Sequence, residues 1–159
     1  MKNLLVTLLL TCGAISAFAQ DQKAIDDKIL TEYFTKNHIK ATKTPSGLYY
    51  TIVKKGSGEN AKAGQQVAMN YLGKFLDGKQ FDANVDENYK PVNGRTAFSF
   101  TLGVGQVIKG WDEGVQLLNP GCRAVLYIPS GLAYGPSGRG PIAANSILVF
   151  NVELLSINK

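Results

Sequence analysis

FSFTLGVGQVIKGW, residues 98–111, is the stretch whose reading decides the fold. Its first half alternates, Phe98-x-Phe100-x-Leu102, which puts three apolar side chains on one face of a strand. Gly103-Val104-Gly105 then marks a tight turn. Val107 and Ile108 follow, and Gly110 with the only tryptophan, Trp111, opens a short helix. That helix is predicted to run on through 112–118 until Asn119-Pro120-Gly121 stops it. Aromatics this dense around a turn are either core or the floor of a pocket, and the stretch alone leaves both open.

Strand patterns lie on either side of it. Upstream, 48–53 reads as a strand turned by Gly56-Ser57-Gly58. Val67, Met69 and Tyr71 share one face of the next strand, which continues through Phe75 to a hairpin signal at Asp77-Gly78. Phe81 and Asp82 lie on the return strand, and the polar segment 83–95, broken by Pro91 and Gly94, reads as an overhanging loop. Downstream, Cys122, Ala124, Leu126 and Ile128 line one face of a strand that Pro129 ends. A Gly/Pro-rich loop, 130–145, carries Ala133-Tyr134-Gly135 and Gly140-Pro141-Ile142. The last strand, 147–155, sets Leu148, Phe150, Val152 and Leu154 against Asn151 and Glu153. The predicted fold class is α+β, a curved antiparallel half-barrel sheet wrapped around a short central helix.

The N-terminal segment reads differently. Ile25, Ile29 and Tyr33 recur at steps of four, widened by Leu30 and Phe34, which predicts a helix over 22–39 with Asp21 as its N-cap. Residues 1–19 pair Lys2 with an apolar run and end in Ala17-Phe18-Ala19, the pattern of a secretory signal peptide cleaved before Gln20. The expected organisation is therefore a signal peptide (1–19), a helical extension and linker (20–45), and one main domain (46–159). The location it implies is periplasmic or secreted. Cys12 allows an outer-membrane lipoprotein instead, a reading that Thr11 before it disfavours.

Composition narrows the chemistry. A chain of 159 residues, 45% hydrophobic and 18% charged, can bury one core. Its +5 charge is scattered rather than clustered, so no nucleic acid partner is expected. His38 is the only histidine, and removal of Cys12 leaves Cys122 alone, so neither a His-based metal site nor a Ser-His-Asp triad can be assembled. Asp112 and Glu113 are adjacent on a helix and point apart, unsuited to paired acid/base work. No metal and no cofactor is expected. An aromatic cavity with few polar groups remains, suited to an apolar peptide side chain.

The motifs Tyr71-Leu72-Gly73, 76–82, 98–103, 106–115, Ile128-Pro129, Ala133-Tyr134-Gly135 and 148–155 together resemble the FK506-binding protein family of peptidyl-prolyl cis-trans isomerases. The resemblance covers about residues 46–157, and the leader resembles that of the secreted bacterial members. It implies a five-stranded half-barrel around a short helix, with proline bound in an aromatic cavity between them. By the same resemblance, Trp111 is the cavity floor and Tyr71, Phe81, Phe98, Phe100 and Phe150 are its walls. Val107 and Ile108 form the rim, the Ile108 N–H meeting a ligand carbonyl. Asp82 and Tyr134 are the polar side chains, Ile142 belongs to the overhanging loop, and Arg95 is a candidate for the family's arginine. The partners implied are proline-containing unfolded or partly folded exported polypeptides and macrolides of the FK506 or rapamycin type. The chain is expected to be a monomer or a weak dimer through the N-terminal helix. Two functions follow: an isomerase that stabilises the twisted amide without covalent chemistry, or a peptide-binding, chaperone-like module of the same fold with little turnover.

Overall fold

The alternation becomes a single antiparallel sheet in the computed structural model, which describes residues 7–158, with side chains from Asp21 on. In chain order the elements are α1 (Thr7–Lys36), β1 (Thr42–Lys43), β2 (Tyr49–Lys54), β3 (Gln66–Lys74) and β4 (Gln80–Ala83). They continue with β5 (Phe98–Thr101), α2 (Lys109–Gly114), β6 (Arg123–Ile128) and β7 (Leu148–Asn158). The strands lie in the order β1-β2-β6-β7-β3-β4, with β5 also on β3. This is the predicted α+β architecture, with seven strands in place of five.

The extra strands have a local cause. β1 is a two-residue edge fragment. β4 and β5 are two halves of one edge strand: β4 pairs with Leu72, Gly73 and Lys74 of β3, and β5 with Gln66 to Met69. Between the halves, residues 84–97 leave the sheet, and Asn84 fills the break. Only 3% exposed, it accepts the Tyr71 N–H on Oδ1 (2.7 Å) and donates through Nδ2 to the carbonyls of Met69 (3.2 Å) and Thr96 (3.0 Å). A side-chain amide thus satisfies backbone groups that an unbroken strand would have paired.

One face of the sheet holds the main core. Val67, Leu102, Val115, Leu118, Leu126, Leu148 and Val152 are fully buried there against α2. The helix lies so close to β6 that a Cβ on Gly110 would come 2.5 Å from Ile128 Cγ2, so only glycine fits. α2 is shorter than predicted, because after Gly114 the chain tightens into a 3₁₀ turn over Val115–Leu117. Cys122, 3% exposed, belongs to this core, and burial pushes its thiol pKa up.

The opposite face is covered by α1. Phe34 packs edge-on against Tyr127 (4.9 Å between centroids) and Tyr49 (5.0 Å), with Leu30 and Ile147 beside them. The predicted stripe is displaced by one residue. Asp26, Leu30 and Phe34 face inward, while Ile25 and Ile29 remain 50% and 40% exposed. The cause is Asp26, whose carboxyl is drawn inward by Ser130. α1 also ends earlier than predicted, at Lys36: His38 adopts φ +55°, and the Ile39 N–H closes onto the Phe34 carbonyl at 2.9 Å. Because α1 is already helical from Thr7, Asp21 lies inside it and is not an N-cap. The predicted signal peptide and Cys12 fall where side chains are outside the described residues. No helix among the described residues is long and apolar enough to cross a membrane.

Candidate active site

The strand, turn and helix of 98–111 assemble around Trp111. Ile108 is the extended residue before α2 (φ −60°, ψ 148°), which leaves Val107 and Ile108 half-buried at the helix entry and Trp111 in its first turn. The Trp111 ring lies 5.2 Å from Phe150, 5.3 Å from Tyr71, and 5.9 Å from both Phe98 and Phe100. Three of these pairs are edge-to-face, the arrangement the ring quadrupoles favour. Phe81 joins at the margin, 5.5 Å from Phe150. Phe100 and Phe150 are buried, whereas Phe98 is 40% exposed and Tyr71 and Phe81 are half-buried. Tyr134 and Ile142, from the 130–145 loop, belong to the main core that these rings are part of. The aromatic residues Tyr71, Phe81, Phe98, Phe100, Trp111 and Phe150 singled out from the sequence therefore meet in one place.

Its polar content is small and organised. The Tyr71 hydroxyl donates to Asp82 Oδ2 at 2.7 Å. Asp82 Oδ1 accepts from Arg95 Nη1 (2.5 Å) and from the Ala83 N–H (2.9 Å). Arg95 Nη1 also reaches the Ala83 carbonyl at 2.9 Å. Burial, reinforced by the bond to Asp82, pushes the Tyr71 hydroxyl pKa from its ordinary 10.0 up to about 12. Burial also works to raise Asp82, but the hydrogen bonds from Tyr71 and Arg95 and the arginine's charge outweigh it and hold the carboxyl below its ordinary 3.8. Two donors are left over. Among the described residues, neither the buried Trp111 Nε1 nor the Ile108 N–H has an acceptor. An unpaired N–H at Ile108 is what the start of a helix provides.

Sequence comparison agrees with this geometry. The sequence profile of the FKBP-type peptidyl-prolyl cis-trans isomerases matches residues 57–155. The chain belongs to this family. It is 42% identical over 142 residues to an FKBP-type isomerase, FkpA, of Aeromonas hydrophila, covering 87% of this chain and 50% of that one. A peptidyl-prolyl cis-trans isomerase of Schizosaccharomyces pombe is 41% identical over 114 residues, which are 70% of this chain and 96% of that one. The crystal structure of FkpA from Escherichia coli superimposes with a TM-score of 0.69 at 34% identity, over 96% of this chain and 70% of that one. The chain spans half or less of the length of several curated relatives it matches.

Within the candidate site, the structure gives two charged residues a definite place. Arg95, hard to place because of the insert around it, is the cation on Asp82. Asp112, dismissed as an acid/base group, holds the turn before the helix. Its two oxygens accept the N–H groups of Gly103 and Gly105, each at 2.8 Å. Gly103 has φ +76°, a conformation that favours glycine, so turn and carboxylate together aim Val107 and Ile108 at the rim. The available signal was an acidic residue in the first helical turn after Gly-x-Gly.

Proposed function

We propose that the chain is a peptidyl-prolyl cis-trans isomerase acting on X–Pro bonds of exported, unfolded or partly folded polypeptides. The observation that carries this reading is an aromatic surface, floored by Trp111 and left open at Phe98, beside an unpaired N–H at Ile108. Rotation about the bond is opposed by amide resonance, a barrier of roughly 18–20 kcal/mol. The twisted amide has lost that resonance, so its carbonyl is less polar and its nitrogen more amine-like. A dry aromatic slot holds the twisted form better than the planar one, and each tenfold of rate needs only about 1.4 kcal/mol of such preference.

In this reading, proline stacks on Trp111 between Tyr71, Phe81, Phe98, Phe100 and Phe150. The Ile108 N–H and the Tyr134 hydroxyl hold the neighbouring carbonyls, and Val107 and Ile142 close the rim. Asp82, kept ionised by Arg95 and Tyr71, shapes the field of the pocket and takes no proton. FK506- or rapamycin-type macrolides would compete for the same surface. The isomerase domain is 46–159 and the extension is 20–45. The pattern in 1–19 supports export to the periplasm or beyond, which N-terminal sequencing of the mature protein checks; a start at Gln20 is expected, and an acylated Cys12 would overturn it.

A proline-limited refolding assay on the protein from Gln20 onward tests the activity: a faster slow phase is expected. Peptide binding with no acceleration would establish the alternative, a chaperone-like module. Exposed Ile25 and Ile29 on α1 favour that second reading or a weak dimer through the helix. Sedimentation of an Ile25→Ser/Ile29→Ser pair separates the two, since only a dimer loses mass.

A further inference from the structure

The reading above uses Tyr134 but says nothing of what holds it. Tyr134 follows a 3₁₀ turn, Ser130–Leu132, whose bonds run from the Leu132 N–H to Pro129 O (2.9 Å) and from the Ala133 N–H to Ser130 O (3.0 Å). No side chain of the loop itself caps this turn. The cap comes from more than a hundred residues away. Asp26 of α1 is 1% exposed, and its Oδ2 accepts both the Ser130 N–H and the Ser130 hydroxyl, each at 2.7 Å. Gln22 Nε2 donates to the other oxygen at 2.8 Å. Ser130 itself is fully buried.

Packing supports the turn on one side, where Leu132 and Ala133 rest on the main core. A cavity of about 540 Å³ lies between α1 and the loop, walled by Asp26, Ser130, Leu132, Pro136 and Asn145. On the cavity side the turn is held by hydrogen bonds, and the two that Asp26 accepts are short and buried. The turn leads directly into Ala133, in an irregular conformation (φ −116°, ψ −118°), and then into Tyr134, half-buried against the main core.

We infer that Asp26 is a positioning residue for turnover: by capping the 130–132 turn it sets the place of Tyr134, which makes the helical extension a working part of the active site. This rests on the isomerase reading and on Tyr134 as a group that meets the substrate. Misplacement of a contacting group by an ångström costs up to about a hundredfold in rate, so a partial loosening is expected to cost about five- to tenfold in kcat. KM changes less, because the aromatic floor is untouched.

The test is a double-mutant cycle in the proline isomerisation assay on the protein from Gln20 onward. Asp26→Ala lowers kcat, and Asp26→Asn, whose remaining oxygen can accept both Ser130 bonds, restores most of it. In a Tyr134→Phe background Asp26→Ala adds no further loss. Equal losses in both backgrounds, or a full kcat in Asp26→Ala with only a lower urea midpoint, overturn the inference. Should Asp26→Ala not fold, Ser130→Ala, which removes one of the two bonds, enters the same cycle. A wild type that accelerates nothing overturns the activity reading instead. Amide exchange then decides the rest: Asp26 holds the turn if exchange at 131–135 rises in Asp26→Ala while β6 and β7 stay protected and Asp26→Asn stays near the wild type, and does not if it is unchanged in Asp26→Ala.

Discussion

The two faces of the sheet carry two aromatic clusters built to nearly the same plan. On one face Tyr71, Phe98, Phe100 and Phe150 surround Trp111; on the other Tyr33, Phe34, Tyr49 and Tyr127 meet at similar spacings. Each has a tyrosine hydroxyl donating at 2.7 Å to an aspartate that also holds a cation: Tyr71–Asp82–Arg95 and Tyr49–Asp27–Lys43. The electrostatics agree as well, with both tyrosines raised and both aspartates lowered. The difference is the cover. α1 lies over the second cluster, leaving Phe34, Tyr49 and Tyr127 at 8%, 6% and 6% exposed; in the first, Trp111, Phe100 and Phe150 are as deeply buried, but Phe98 at the edge is 40% exposed. Neither aromatic density nor a Tyr–Asp–cation chain makes a site. What sets the first cluster apart is the edge it leaves open to solvent at Phe98.

Substitutions can break that contrast. The largest effect is expected at Phe34: Phe34→Ala empties the covered cluster and costs about 3–5 kcal/mol in urea unfolding. Phe98→Ala, at an exposed ring, costs less than about half as much stability and instead weakens binding of a proline peptide or macrolide. Equal stability losses would mean the open cluster is ordinary core. Next come the aspartates. Asp82→Val is expected to lower kcat/KM about tenfold, roughly 1.4 kcal/mol of transition-state binding. Asp27→Asn removes a partly exposed pair and should cost up to about 1 kcal/mol of stability, with the isomerisation rate of the folded protein within about twofold. A rate loss at Asp27 matching that at Asp82 would erase the distinction.

The smallest effects are in pH. Asp82 and Asp27 have folded pKa values below the ordinary 3.8, so their contribution to stability is complete above that value and is lost as pH falls through the lowered ones. Tyr71 is raised, so its contribution is complete below 10.0 and is lost as pH rises through about 12. Stability of the wild type should therefore be flat with respect to these groups between the two limits. Asp27→Asn should make the acid limb shallower, and Tyr71→Phe the alkaline one.

Much of the fold was legible because alternation and turn residues are local signals. Phe98, Phe100 and Leu102 announced β5, and Asp77-Gly78 announced the β3–β4 hairpin. The aromatic residues of the candidate site were read from the family resemblance, since local pattern alone left core and pocket both open. What escaped was held by bonds across long stretches of chain. Arg95 was a candidate, but its bond to Asp82 was not foreseen; Asn84 repairs a broken strand, and Asp26 finds Ser130 across 104 positions. Asp26 also misled the helix reading. A buried aspartate counts as solvent-facing in any hydropathy pattern, so the stripe was centred on Ile25 and Ile29 although the helix turns its next residues inward.

Cys122 gives the molecule a clock. In a chain beginning at Gln20 it is the only thiol, and at 3% exposure with a raised pKa it is shielded from alkylating reagents while the sheet is closed. Its carbonyl accepts the Leu154 N–H at 3.0 Å, and the neighbouring Gly121 N–H donates to Leu154 O at 2.7 Å. A reagent must wait for the β6–β7 seam to part before it can react. The labelling rate therefore counts openings of the strand that carries Phe150, and its slowing on addition of a macrolide would measure ligand binding without any substrate turning over.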